Sequence, residues 1–182
     1  MRVVLLIAFS ASIILTVVPA HSDEIALYSD TQYSNCKIID SSPGVVSVYV
    51  VHHVSTGATA SQFKVQANSG VTLSYVGETS PHTLLIGTSQ GGVSIAYDAC
   101  TYSDVLVLTL NYFATGTSTA CSYLQVVPDP SSLRGYIDVV DCSSNSMEAS
   151  GARLVVNSDG TCECGPTTEY TNWGKIKNRF GD

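Results

Sequence analysis

The stretch GGVSIAYDACTYSDVLVLTLNYFAT, residues 91–115, decides the fold class. In its first half Val93, Ile95 and Tyr97 alternate with smaller or polar residues, the period-two pattern of a strand with one face on a core. The second half, residues 105–113, is apolar on both faces, which predicts a central strand with neighbours on both edges and layers on both sides. Turn residues separate the halves, so we expect the two strands to form the central hairpin of an all-β domain.

The same alternation continues on both sides of this stretch and predicts roughly ten short strands, with no amphipathic helix between them. The other predicted strands cover residues 23–30, 45–54, 63–67, 71–75, 83–86, 121–127, 135–142 and 151–156. A polar segment, 143–150, is expected to connect the last two. Turn signals about every 8–12 residues favour an antiparallel β-sandwich of the immunoglobulin-like, jelly-roll or cohesin-like type over residues 23–164.

The first 22 residues have the pattern of a secretory signal peptide. Arg2 precedes an apolar run from residue 3 to 18, which is shorter than a membrane-spanning helix needs. Small residues, Ala20 and Ser22, then occupy the −3 and −1 positions of a cleavage site before Asp23. We therefore expect a secreted, extracellular protein, with the periplasm or the cell surface as alternative destinations. It meets the membrane only through the transient signal peptide.

The mature amino terminus is predicted at Asp23. The intact mass of the exported protein tests this directly, since cleavage before Asp23 removes residues 1–22. A protein whose mass still includes those residues would be held by a membrane anchor instead, and the predicted cleavage would be wrong.

The mature chain is acidic. Without Arg2 it carries seven Lys and Arg residues against fifteen Asp and Glu residues. Because nucleic-acid binding depends on neutralising phosphates with Lys and Arg, nucleic acid is not an expected partner.

Six cysteines follow the signal peptide, and an even number in an exported chain predicts disulfide bonds. They are Cys36, Cys100, Cys121, Cys142, Cys162 and Cys164. Spacing alone does not select a pairing, although Cys162 and Cys164 are too close to bond to each other without strain. We expect each of these two to clamp the C-terminal region to a different strand. A zinc site is the alternative, but no Cys-x₂-Cys pair or His pair at metal spacing accompanies it.

A G-x-S-x-G sequence centred on Ser89 matches the nucleophile elbow of hydrolases. That motif requires a helix after the serine, whereas a β-alternating segment follows here. No histidine lies downstream of His82 to act as a base. We therefore predict that Ser89 lies in a hairpin, that the protein is not an enzyme, and that it has no catalytic residue.

The candidate metal-binding patterns are incomplete. Adjacent His52 and His53 point to opposite faces of a predicted strand, so they cannot chelate one metal together. Residues 157–160 resemble the middle of a calcium loop but lack its first and last ligands, and they are predicted to form a β-turn. We expect no metal and no cofactor.

Ten tyrosines suggest a flat face on which sugar rings could stack, as in carbohydrate-binding sandwiches. The candidate ligand face comprises Tyr97, Tyr102, Tyr112, Tyr123 and Tyr136. The alternative is that they are the half-buried tyrosines that β-sheets ordinarily contain.

The last segment, residues 165–182, is predicted to be a linker followed by a basic amphipathic tail. Trp173, Ile176 and Phe180 are spaced to share one face of a short helix. The basic residues Lys175, Lys177 and Arg179 lie between them, whereas residues 23–168 carry four basic against thirteen acidic residues. We expect the apolar residues to dock on a sheet edge of the same chain or of a neighbour. A recognition peptide for a partner or an export machine is the alternative.

Two resemblances follow from these patterns. The segment ATASQFKV, residues 58–65, and the predicted strand pair within residues 135–156 loosely resemble cohesin-type sandwiches, which are surface or secreted domains that bind proteins or glycans. The mature chain also resembles a group of short, uncharacterised secreted bacterial proteins. The shared segments are VVSVYVV at 45–51, LTLNYF at 108–113, VVDC at 139–142, CEC at 162–164 and the WGKIK tail at 173–177. The resemblance implies export and fold but no mechanism.

The sequence therefore favours a secreted, non-enzymatic binding module whose ligand is a protein or a glycan at the cell surface. The alternative is a self-associating structural subunit of a surface layer or filament, which uses its C-terminal tail for docking or export.

Overall fold

The structure is a computed structural model that describes residues 22–166, and these residues form twelve β-strands without a helix. The strands are β1 Glu24–Tyr28, β2 Lys37–Ile38, β3 Gly44–His53, β4 Ala58–Ala67, β5 Ser74–Thr79, β6 Leu84–Thr88, β7 Gly92–Thr101, β8 Val105–Ala114, β9 Ser122–Val127, β10 Ile137–Val140, β11 Ser146–Val156 and β12 Gly165–Pro166. Within this part of the chain no helix is long and apolar enough to cross a membrane.

The strands form two layers around one core. The first layer has the order β5-β8-β3-β1 and the second has the order β6-β7-β4-β10, while the long strand β11 pairs with both β1 and β10. Leu27 and Leu110 of the first layer belong to the same buried cluster as Phe63, Val65 and Ile95 of the second. The strand pairs are antiparallel except for the contacts of β11 with β1 and β2, which are parallel. The predicted all-β sandwich is confirmed.

The predicted central hairpin is wrong. Strand β8 does lie between two neighbours, β3 and β5, as its apolar composition indicated. Strand β7, however, pairs with β4 and β6 in the other layer, so residues 102–104 cross between layers. Each strand buries one apolar face, and the two faces meet across the core instead of lying side by side.

The prediction of layers on both sides of β8 is also wrong. The pairing of β3 with β8 shifts between Val50 and Val51, so both Val107 and Leu108 are buried. This bulge changes which face each apolar residue takes. Phe113 on the outer face is 43% exposed. The apolar composition of both faces of β8 therefore reflects a bulge and not a second covering layer.

Strand β11 begins at Ser146, within the segment predicted to be a polar connection. Its first residues pair with β10, and its last four pair with β9. Gly151 lies at this transition, where a side chain would collide with the carbonyl oxygen of Val126 and with Ile137. A glycine is needed here because two strands approach one backbone closely.

Three disulfide bonds connect the six cysteines, as predicted. They join Cys36 to Cys164, Cys100 to Cys142 and Cys121 to Cys162. Cys162 and Cys164 are bonded to different segments, but Cys36 and Cys121 lie just before strands β2 and β9 and not within them.

Two groups of predictions lie outside the described residues. The signal peptide, apart from its last residue Ser22, occupies residues 1–21. The basic tail with Trp173, Ile176 and Phe180 falls within residues 167–182. Both remain predictions.

Candidate binding surface

The five candidate tyrosines do not form one exposed face. Tyr97 and Tyr112 belong to the core. Tyr102 is 73% exposed in the connection between β7 and β8. Tyr123 on β9 lies under the guanidinium of Arg153, and Tyr136, just before β10, accepts a hydrogen bond from Arg134. The face predicted from all five tyrosines is therefore not present, because strand alternation turns two of them inward.

Tyr97 is part of a buried polar group at the centre of the molecule. Its hydroxyl is 2.8 Å from Nδ1 of His52, whose ring is fully buried. Nε2 of His52 lies 3.9 Å from the carboxylate of Asp23, which accepts a hydrogen bond from the Ser55 backbone. Burial lowers the pKa of His52 to about 4 despite the charge of Asp23. These groups connect the start of β1 to both layers.

His53 points to the opposite side, as predicted for adjacent strand residues. Its Nδ1 is 2.8 Å from Asp104 and its Nε2 is 2.7 Å from the hydroxyl of Tyr28. This order of groups resembles a nucleophile, a base and an orienting acid. Burial and the nearby acids Glu24 and Asp104, however, raise the pKa of Tyr28, which disfavours the phenolate that would attack a substrate. We interpret the chain of hydrogen bonds as structural.

Ser89 lies in the turn between β6 and β7, as predicted. Its side chain is buried, and its backbone amide donates to the carboxylate of Glu78. No helix follows it within the described residues. The structure therefore does not present Ser89 as an exposed nucleophile.

One group of potential metal ligands occurs among residues 22–166, and it consists of Cys121, Asp159 and Cys162. The two sulfurs are bonded to each other, so they offer no thiolate. Asp159 accepts hydrogen bonds from the amide and hydroxyl of Thr161, which is the geometry of a turn.

The outer face of the second layer contains a shallow groove with a volume of about 220 Å³, which we call the β6 groove. Leu84 and Ile86 form one side of it and are 55% and 64% exposed. Its floor consists of small or polar side chains on β4 and β7, among them Ala60, Gln62 and Ala96. Large apolar side chains beside small ones make a concave surface into which a partner's side chain fits.

Strand alternation explains why Leu84 and Ile86 face solvent. Leu85 between them packs against the core, so its two neighbours must point outward. Strand β6 ends the second layer among residues 22–166, and its five pairs with β7 are regular. It contains no charged residue and no proline, the usual devices that protect an edge strand from pairing.

Two acidic residues lie at or near the β6 groove. Asp98 accepts a hydrogen bond from the hydroxyl of Thr83, 2.7 Å away, and this bond lowers the pKa of the carboxyl. On the opposite side Asp138 accepts a hydrogen bond from Ser146 and lies 3.7 Å from Arg134. Because Arg134 offsets the charge of Asp138, Asp98 is the acid that favours a basic group on a partner here.

The outer face of the first layer also exposes apolar residues, but in a different setting. Val45 and Phe113 are cross-strand neighbours, and Val76 on the edge strand β5 is 64% exposed. The pairing of β5 shifts between Tyr75 and Gly77, which makes this edge irregular. The two edges are therefore unequal, because β5 carries a bulge and Glu78, whereas β6 carries neither.

The local pattern of residues 83–86 predicts a strand but does not mark Leu84 and Ile86 as site residues. The available signal was the unbroken apolar run LLI, because a strand that packs on the core through Leu85 alone must expose its two apolar neighbours. This signal becomes informative only when the outer face of the strand is known to have no covering layer.

No family profile matches the chain, and no curated protein sequence matches it significantly. Solved structures do resemble it. One is a non-cellulosomal cohesin from the archaeon Archaeoglobus fulgidus, with 12% identity and a TM-score of 0.51, covering 75% of this chain and 91% of that one. Another is a cohesin module from a family 33 glycoside hydrolase of Clostridium perfringens, with 10% identity and a TM-score of 0.51, covering 76% of this chain and 98% of that one. The likeness shows a cohesin-like fold.

Proposed function

We propose that this protein is an extracellular, non-enzymatic module that binds another protein through the β6 groove. The observation that carries the proposal is the exposure of Leu84 and Ile86 beside a concave surface on an unprotected edge. Exposed apolar groups in such a setting mark interaction sites. Cohesin-type sandwiches, which the sequence resembles and whose fold the chain shares, are binding domains, and this agrees with the proposal.

Two features of the chain support the extracellular location. Disulfide bonds persist in oxidising compartments, and three of them hold this domain together. The predicted signal peptide would deliver the chain there. The acidic surface disfavours nucleic acid and suits a partner with basic groups.

A photo-crosslinking residue at position 86 is expected to capture the partner in the native cell, whereas the same residue at position 76 is not. Ile86 and Val76 are both 64% exposed and lie on opposite layers, so they form a matched pair. Excess unmodified protein should suppress the adduct by competing for the partner. The Ile86→Asp variant should be at least about tenfold weaker as a competitor than the unmodified protein, because central apolar anchors dominate binding energy.

Equal adducts at positions 76 and 86, or full competition by Ile86→Asp, would contradict the proposal. A crosslinked product of twice the chain mass would identify a second copy as the partner. That result would favour the self-associating subunit, for which the unprotected edge of β6 is the supporting observation. A glycan ligand would leave no protein adduct, and the scattered positions of the tyrosines do not favour it.

A further inference from the structure

Pro166, the last described residue, has a defined place beside strand β11. Strand β12 pairs Gly165 with Arg153 and Pro166 with Ala152 of β11. The next positions along β11 are already paired with Ile25 and Glu24 of β1. Because this side of β11 is already occupied by β1, it offers no free position for further pairing beyond Pro166.

A second groove lies close to Pro166 along β11. It has a volume of about 450 Å³, and we call it the β10–β11 groove. Its lining includes Pro128, Tyr136, Ile137, Glu148, Ala149 and Ser150. Ser150 is two positions along β11 from Ala152, the residue that pairs with Pro166. A mainly apolar groove of this size is large enough for an aromatic side chain.

The charge of this groove is opposite to that of the tail. Glu148 is exposed and forms no ion pair within residues 22–166, and it lies directly opposite Asp138 in the sheet register. Two acids in that position repel each other unless a cation is near. Arg134 lies 3.7 Å from Asp138, which leaves Glu148 without a cation of its own. Residues 173–180 contain three basic residues and no acidic one.

We propose that the C-terminal segment, residues 167–182, docks in the β10–β11 groove of its own chain. Trp173 occupies the apolar space near Tyr136 and Ile137, and the basic residues around it face Glu148. Six residues lie between Pro166 and Trp173, and the seven steps along the chain reach at most about 25 Å, which is ample for a groove that begins two residues away. So short a connection keeps the segment at a high effective concentration, which favours the same chain over a neighbour.

This docking is separate from the proposed partner site. Both grooves border β10, but the exposed Leu84 and Ile86 lie on β6, which is about 19 Å from β11 at the usual strand spacing because β10, β4 and β7 lie between them. The segment therefore covers an apolar groove without occupying the β6 groove. Failure of either proposal leaves the other open to its own test.

Trp173 is the only tryptophan in the chain and reports directly on docking. In the secreted protein we expect its emission to be blue-shifted relative to a free peptide of residues 167–182. Quenching by acrylamide should be about threefold or more weaker than in the peptide, because a buried indole is shielded from solvent. Neither property should change across a roughly hundredfold dilution if docking is intramolecular.

Two groove variants and two controls complete the experiment. Tyr136→Ser should raise quenching towards the value of the free peptide, while Tyr102→Ser, at an exposed tyrosine outside the groove, should not. Glu148→Lys is at an exposed position, so it preserves folding and should raise quenching most at low salt. The double variant Leu84→Ser, Ile86→Ser should leave Trp173 unaffected.

Quenching equal to that of the free peptide would overturn the proposal, and so would shielding that is lost on dilution, which would place the segment on a neighbouring copy. Shielding that disappears in the Leu84→Ser, Ile86→Ser variant would place the segment in the β6 groove instead.

A stability measurement provides a second readout. Ending the chain after Thr168, or replacing Trp173 by alanine, should lower the melting temperature by several degrees, whereas Lys175→Ala should change it little. An unchanged melting temperature on truncation would also contradict docking.

Discussion

Replacing both Cys36 and Cys164 by serine is expected to lower the free energy of unfolding by about 5 kcal/mol, the largest effect among the three disulfides. This bond spans 128 residues, so its loss frees more of the unfolded chain than loss of either other bond. It also holds β2 and β12, each only two residues long, against β11. Urea unfolding followed by circular dichroism under non-oxidising conditions would measure the change.

The matched control replaces Cys100 and Cys142, which are separated by only 42 residues. Chain entropy predicts a cost for that pair about 1 kcal/mol smaller than for the long-range bond. If the two double variants lost equal stability, or if the long-range pair cost less, loop length would not govern the contribution of these disulfides.

Labelling of cysteines in the denatured, unreduced protein should detect no free thiol in the unmodified chain.

Lowering the pH from about 6.5 to 4 is expected to destabilise the protein by about 3 kcal/mol through His52 alone. Burial holds the pKa of His52 at about 4 in the folded state, below its unfolded value of 6.5. The unfolded chain therefore binds a proton in this interval that the folded chain does not. Stability is fully present above pH 6.5 and declines as the pH falls towards the folded pKa.

The variant His52→Gln should remove this pH dependence, while His53→Gln should retain it. The control is closely matched because the two histidines are adjacent and only His52 is fully buried. Chemical denaturation at several pH values would measure the slope. The carboxyls of Asp30 and Asp141, whose pKa values hydrogen bonds lower, lose their contribution mainly below about pH 4, outside this interval. An unchanged slope in His52→Gln would show that another group is responsible.

The sequence predicted the strands better than their partners. Alternation identified most of β3, β4, β7, β8 and β9, because a strand with one buried face shows its period locally. It did not reveal that β7 and β8 belong to different layers, since a short polar connection suits a hairpin and a layer crossing equally well. The bulge between Val50 and Val51 was also undetectable, because it depends on the partner strand and not on β3 itself.

The candidate site was less predictable than the fold. The chemistry of the tyrosines suggested a ligand face, yet Tyr97 and Tyr112 are buried in the core. Leu84 and Ile86 looked like ordinary strand residues, and they are exposed because Leu85 between them packs on the core and turns them to the outer face of the layer. Exposure is a property of the assembled sheet, so a local pattern does not contain it.

By itself, the sequence determined the all-β class, the presence of disulfide bonds and the opposite orientations of His52 and His53, since each depends on local spacing or composition. The tertiary structure alone decided which cysteines pair, which strands share a layer and which apolar side chains face solvent. These depend on contacts between residues far apart in the chain, such as Cys36 with Cys164. Many pairings satisfy the same local pattern, and only simultaneous burial of both layers around one core selects among them.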